Sequence, residues 1–348
     1  MYCLAAAICI IGCEQPFDTS KLPNPASKYV IGDTSYVEIY PPFEGFSEPS
    51  AILIGYDQLL FVADTKKNRV VLMNTAGEIL SERYILQPIS LGEDYLLKLF
   101  VGGSVIEASG DTVGAIFRLN LPATNHDLEH APMDTIWKEV AKPRRRFTGL
   151  LALPGNDMLA VRRGPDNTSY VDPDGRILRF NSLGKLISPL GDFVTRSGSG
   201  ITDINFPTGI GGFQTKFDFV LLQSSEGVAY GALWMVYESN PNFEGWLPKF
   251  DPADPDQRLV DFVKPNRFIE PRGCVVDGKR GDIFIADMAQ DSIFKFDSRG
   301  RFKKESFGYV RSEQRMVRPV GLAFFDKTLY VLDAGTNRIL RYKQSYDF

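Results

Sequence analysis

One unit of polarity recurs along the chain. A short apolar run ends in an acid, a polar turn follows, and a second apolar run begins. The unit is first seen in Leu60-Phe61-Val62-Ala63-Asp64, a turn from Thr65 to Asn68, and Arg69-Val70-Val71-Leu72. It returns as Ile283-Phe284-Ile285-Ala286-Asp287, a turn closing on Asp291, and Ser292-Ile293-Phe294-Lys295. The third copy is Leu329-Tyr330-Val331-Leu332-Asp333, a turn closing on Asn337, and Arg338-Ile339-Leu340-Arg341. Short runs of aliphatic and aromatic residues bounded by polar turn residues predict β-strands. Hairpin signals follow at Asn74-Thr75-Ala76-Gly77, Asp172-Pro173-Asp174-Gly175, Asn181-Ser182-Leu183-Gly184 and Asp297-Ser298-Arg299-Gly300. In these, Asn or Asp caps its own backbone and Gly supplies the positive φ that closes the turn.

A Pro-x-Gly opening also recurs, at Pro207-Thr208-Gly209, Pro271-Arg272-Gly273 and Pro319-Val320-Gly321, with Phe147-Thr148-Gly149 as a looser copy. Together these segments resemble NHL repeats, of the TolB-like propeller class, whose consensus runs through a Pro-x-Gly opening, a strand ending Val-Ala-Asp, a polar turn and a hairpin. Asp287 and Asp333 lie 46 residues apart, a length that fits one four-stranded blade. That period divides the stretch from about Ser47 to Lys343 into about six units, led by Pro49, Pro88, Phe147, Pro207, Pro271 and Pro319. The expectation is all-β: a six-bladed β-propeller of four-stranded antiparallel blades. The strand Ser35 to Tyr40 is expected to pair with the last blade after Tyr342 and close the ring, hiding the edges that a linear array exposes. Asn120 to Arg146 and Glu238 to Arg267 break the period and are expected to form loops or extended outer hairpins.

At 44% hydrophobic and 24% charged residues, the 348-residue chain has apolar material enough for a core. Its net charge of -4 argues against a protein that neutralises phosphates, so no nucleic acid is expected as a partner. Three of the four cysteines, Cys3, Cys9 and Cys13, crowd the N-terminus, which is no disulfide framework; Cys274, in an apolar run, is expected as a small buried hydrophobe. Cys3 to Gly12 is an apolar run too short to span a bilayer and of the length of a signal peptide's apolar region. Ile10-Ile11-Gly12-Cys13 resembles a bacterial lipobox, although no Lys or Arg precedes Cys13. The resemblance implies a signal segment over 1–12, lipidation at Cys13, a flexible tether over 13–34 and one propeller domain over 35–348, held at a bacterial membrane, on the periplasmic or surface face of the outer membrane. A monomer is expected.

Candidate chemistry divides into scaffold and site. Recurrence at one structural position makes Asp64, Asp287 and Asp333 turn acceptors. His126-Asp127-Leu128-Glu129-His130 matches a zinc-protease order but sits between Pro122 and Pro132, away from any helix. Asp251, Asp254 and Asp256 lack the Gly and late Glu of a calcium loop, and the basic run Lys142 to Arg146 reads as solvated. The leads themselves suggest a site. Residues flanking them are expected to ring one mouth of the central channel: Glu48, Gln87, Arg146, Phe206, Glu270 and Arg318 just before, and Ser50, Thr148, Thr208 and Arg272 just after. The leading expectation is a non-enzymatic, lipid-anchored envelope protein without a cofactor, presenting its surface or channel mouth to a protein, glycan or small ligand. The alternative is a divalent-metal hydrolase or lyase similar to gluconolactonase-like propellers, with calcium as cofactor and Glu48, Glu270 and Asn205 near the metal position.

Overall fold

The computed structural model describes residues 35–344, apart from positions 170, 191, 195–200, 227, 252, 253, 255, 258, 259, 304, 305 and 308–315. The signal segment, Cys13 and the tether lie outside the described residues. Six antiparallel blades follow one another in chain order. Blade 1 comprises Ala51–Ile54, Leu60–Asp64, Arg69–Met73 and Ile79–Tyr84. Blade 2 comprises Leu86–Glu93, Lys98–Ile106, Thr112–Asn120 and Met133–Lys138. Blade 3 comprises Arg146–Ala152, Met158–Arg163, Arg176–Phe180 and Leu186–Leu190. Blade 4 comprises Pro207–Gly212, Phe219–Gln223, Ala232–Asn240 and Phe243–Pro248. Blade 5 comprises Pro271–Val276, Ile283–Asp287, Ser292–Phe296 and Phe302–Lys303. Blade 6 comprises Pro319–Phe325, Thr328–Asp333 and Arg338–Gln344, and takes Ser35–Glu38 as its fourth strand. That strand pairs antiparallel with the end of the chain, Tyr36 opposite Gln344 and Glu38 opposite Tyr342, so the N-terminal segment closes the ring as its position in the repeat predicts. The first strands pack against one another around a central channel, and that of blade 6 returns to blade 1.

The second strands are largely apolar up to their polar ends because both their faces are buried. In blade 1, Leu60 and Val62 face a cluster shared with blade 6, while Phe61 and Ala63 face one shared with blade 2. In blade 5, Ile283 and Ile285 turn toward blade 4, and Phe284 and Ala286 toward blade 6. Side chains of a strand alternate between the two faces of its sheet, so each blade is sandwiched by its neighbours. Six buried clusters result, one at each junction. Burial contributes about 25 cal/mol per Å² of apolar surface, which favours closing the ring because an open array would leave two of these faces wet. The outermost strand of blade 1 is largely exposed.

The recurrent polar residues hold the blades in register. Asp64, Asp287 and Asp333 are fully buried, and each accepts a backbone N–H two residues before its own blade's lead: Ser47 at 2.7 Å, Ile269 at 2.6 Å and Val317 at 3.1 Å. In blade 4 the Gln223 amide oxygen does the same for Asn205, at 2.8 Å. The residue that ends each turn reaches the next blade. Asn68 accepts the Gln87 N–H at 2.9 Å, Asp291 that of Arg318 at 2.8 Å, and Asn337 that of Glu48 at 2.6 Å, the last joining blade 6 to blade 1. The glycine of Pro-x-Gly marks where inner strands approach most closely: a methyl on Gly273 would sit 2.9 Å from the Gly321 Cα.

Several expectations are corrected. Asp172 to Gly175 is no hairpin; it lies in the long connection between the second and third strands of blade 3, with Asp174 buried. The basic run is not simply solvated, since Arg145 is buried with its guanidinium 2.6 Å from Asp174, 2.8 Å from Asp172 and 3.2 Å from Glu139. Asp251 is buried, so the acidic turn that it opens is only partly solvated. Asn120 to Arg146 and Glu238 to Arg267 do form loops and outer hairpin strands as expected, and these strands are the fourth of blades 2 and 4.

Candidate functional site

The channel has two mouths. The third residue after each lead narrows it at the waist: Ile52, Leu91, Leu150, Ile210, Cys274 and Leu322 border both the cavity of about 320 Å³ at the lead end and the cavity of about 390 Å³ at the far end. This ring of one residue per blade is apolar but for a thiol. Cys274 is half-buried there rather than enclosed in a blade, and burial pushes its thiol pKa up.

The lead-end cavity gathers part of the predicted ring. Glu48, Ser50, Thr148, Thr208, Arg272 and Arg318 line it; Gln87, Arg146, Phe206 and Glu270 do not. Glu48, Gln87, Phe206 and Arg318 share a left-handed backbone, with φ of 45°, 44°, 46° and 57°. For non-glycine residues that conformation costs roughly 1–2 kcal/mol. The junction hydrogen bonds to the N–H groups of Glu48, Gln87 and Arg318 help hold it. The hydroxyls are spent on the scaffold: Thr148 donates to the Pro207 carbonyl at 3.2 Å, Thr208 to that of Pro271, and Thr65, hydrogen-bonded to Ser50, to that of Pro88. Gln87 accepts from Ser104 at 3.2 Å. Arg146 turns away from the channel to donate to the Pro143 and Arg145 carbonyls, and burial lowers its pKa.

Beside this mouth the charges centre on Glu270, which pairs with the cavity-lining Arg272 without lining the cavity itself. Its carboxylate lies 2.7 Å from the Arg272 guanidinium and 3.0 Å from that of Arg163. Although burial opposes its charge, the Ser224 hydroxyl and both arginines hold its pKa below the ordinary range. Arg163 also reaches Glu226 at 3.5 Å and lies over the Phe206 ring. The Arg272 Nε is buried without a protein partner, and Arg318 stands exposed at the rim. Glu48 is exposed and paired with Lys66 at 2.7 Å. These carboxylates do not fit a calcium site: one is enclosed by two guanidinium groups, the other is bound to a lysine, and a divalent cation requires several convergent anionic or carbonyl oxygens. Among the described residues no group of three or more His, Cys, Asp or Glu converges on a point that could hold a metal ion. The two imidazoles also diverge, His126 Nδ1 lying 2.9 Å from Asp57 and His130 Nδ1 2.7 Å from Asp127.

Arg163 was not foreseen among the mouth residues. It occupies the position that is Thr65, Met288 and Ala334 in blades 1, 5 and 6, all three of which line the cavity. Aligning the blades on their leads would have found it.

No protein-family model matches the chain, and no curated protein matches it. Solved structures do. An oxidoreductase from Thermus thermophilus, assigned as a glucose dehydrogenase, is similar over 89% of this chain and 99% of its own, with a TM-score of 0.59 at 16% identity. The likeness is one of fold. A PQQ-bound aldose sugar dehydrogenase from Streptomyces coelicolor matches over 90% and 98% of the two chains (TM-score 0.58, 11% identity). A gluconolactonase from Xanthomonas campestris matches over 92% of each (TM-score 0.50, 12% identity). The neighbours of this propeller are thus largely enzymes. Since one propeller fold hosts unrelated chemistries, activity has to be argued from the residues at the mouths.

Proposed function

We propose that the protein is a binding propeller whose lead-end mouth receives a small anionic ligand, such as a carboxylate-bearing sugar, at the cell envelope. The observation that carries this reading is Arg272. Its guanidinium borders the cavity and keeps a buried N–H without a protein acceptor, while Arg318 adds a second cationic group at the rim. Guanidinium groups suit carboxylates because their donors form a planar fork. Binding rather than turnover is favoured because Glu270, the half-buried carboxylate beside this mouth, is held ionised by two arginines and is a poor proton donor or acceptor near neutral pH. The envelope setting, with Cys13 as the lipid-bearing residue, rests on the lipobox resemblance. For the divalent-metal hydrolase reading, no donor set of three or more His, Cys, Asp or Glu converges among the described residues.

Calorimetric titration with glucuronate, and with glucose as the neutral comparator, tests the reading. We expect glucuronate alone to bind. Arg272→Gln should weaken it by roughly tenfold or more, since hydrogen bonds to charged groups contribute about 1.5–3 kcal/mol. Equal binding of the two sugars, or glucuronate binding unchanged in Arg272→Gln, refutes it.

A further inference from the structure

The far mouth has a chemistry of its own, built on Glu93. This residue is 5% exposed and borders the cavity of about 390 Å³. Its Oε2 accepts the Tyr56 N–H at 2.6 Å, whereas its Oε1 is buried with no protein partner. Two other acids flank it: Asp94 is satisfied, while the Oδ2 of Asp57 is buried beside His126 without a hydrogen bond. Asp57 accepts the Leu59 N–H at 3.1 Å and lies 2.9 Å from His126; Asp94 accepts the N–H groups of Leu96 and Lys98, each at 2.9 Å. Among the described residues no lysine or arginine is paired with Glu93. A buried carboxyl oxygen with neither a hydrogen bond nor a countercharge costs a protein stability, and a ligand that supplies both removes that cost.

The surroundings specify the ligand further. The Tyr56 ring borders the cavity and stacks on Tyr95, centroids 4.6 Å apart. The Tyr95 hydroxyl donates to the Gln214 carbonyl of blade 4 at 2.6 Å, which fixes the aromatic panel across the mouth. Ile54, Phe213, Phe324 and Phe325 supply apolar side chains to the remaining wall, and Gln58 and Gln214 polar ones. A carboxyl beside an aromatic face suits an ammonium group, by ion pairing and by attraction to the ring face. A metal ion would need further donors, and these do not converge.

We propose that the far mouth binds a compact organic cation, an ammonium on an apolar body, with Glu93 as its counterion and Tyr56 as its aromatic wall. This site is separate from the lead-end mouth, from which the apolar waist divides it. Burial, reinforced by the charges of Asp57 and Asp94 and opposed by the Tyr56 N–H, pushes the Glu93 pKa up to about 8, as expected of a carboxyl awaiting its cation. Binding should therefore strengthen with pH.

The test is calorimetry on the full chain with phenethylamine, with phenethyl alcohol as the neutral analogue. The alcohol should not bind. Amine affinity should rise roughly tenfold between pH 7 and pH 9, as the ionised fraction of Glu93 grows from about one-tenth to about nine-tenths while the amine stays mostly protonated. Glu93→Gln should reduce affinity by at least tenfold at pH 9 and abolish its pH dependence, and Arg272→Gln should leave it unchanged. Equal binding of amine and alcohol, pH-independent binding, or amine binding that survives Glu93→Gln overturns the proposal. So does calcium chloride binding in a Glu93-dependent way where the amine does not.

Discussion

Replacing Glu93 by Gln should make the protein more stable in alkaline solution, by an amount that follows from the site. In the folded chain the carboxyl titrates near 8, against an ordinary value of 4.5. Below about pH 4.5 it is protonated folded and unfolded, and costs nothing through ionisation. Between the two values the unfolded chain gives up the proton and the folded chain keeps it, so stability falls as pH rises. Above pH 8 both states are ionised and the penalty is complete. At about 1.4 kcal/mol per pKa unit, the difference amounts to roughly 5 kcal/mol above pH 8 and roughly 3 kcal/mol at pH 7. A glutamine keeps an oxygen for the Tyr56 N–H and has no proton to lose. Urea denaturation of both proteins at pH 5, 7 and 9, with equal m-values checked first, should show nearly equal midpoints at pH 5 and a gap that widens to pH 9, the variant being the more stable. Parallel stability curves would mean that Glu93 is not held protonated by its surroundings, and the account of the far mouth would lose its electrostatic basis.

Two further outcomes are expected. Arg145→Ala should lower stability by about 3 kcal/mol or more in urea denaturation, because it removes the cationic partner of the buried Asp174 carboxylate and one of the two that Glu139 has. Asp174→Ala in the same background should cost less than it does alone, and additive losses would deny the coupling. In a bacterium expressing the full chain, a palmitate analogue should label the protein, and Cys13→Ala should abolish labelling; label retained in the variant would dismiss the lipobox resemblance.

The regular blades were legible because their Asp has a local task repeated in register. Asp64, Asp287 and Asp333 each bind an N–H two residues before the lead of their own blade, so sequence spacing and hydrogen-bond spacing coincide. Blade 3 was obscure because its polarity is reversed at that point. Arg162 pairs with the lead Phe147 as Asp287 pairs with Pro271, and its charge is balanced by Glu139 and Asp172, which also bind Arg145. The residue balancing the clamp is then 23 positions from it for Glu139 and 10 for Asp172, and no fixed local spacing announces them.

The two mouths differ in the same respect. At the lead end the leads gave the ring, but a residue beside a lead can face the channel, the next blade or the rim, and backbone conformation alone does not decide which, since Gln87 and Phe206 share the left-handed turn of Glu48 and Arg318 without lining the cavity. Arg318 borders the cavity, whereas Arg146 is drawn away from it by the Pro143 and Arg145 carbonyls. At the far end the alignment of leads says more than residue type. The fifth residue after each lead is Ile54, Glu93, Ala152, Gly212, Val276 or Phe324, all bordering the same cavity. Five are apolar or small, in keeping with the packing of inner strands around the channel. The sixth is a carboxyl with an oxygen unpartnered, and a scaffold role gives no reason for it, since the hydrogen bond from Tyr56 would be made equally by a neutral amide. A position that five blades keep apolar and one makes acidic, against an aromatic panel braced from another blade, is better explained by something that enters the mouth than by anything that holds the blades together.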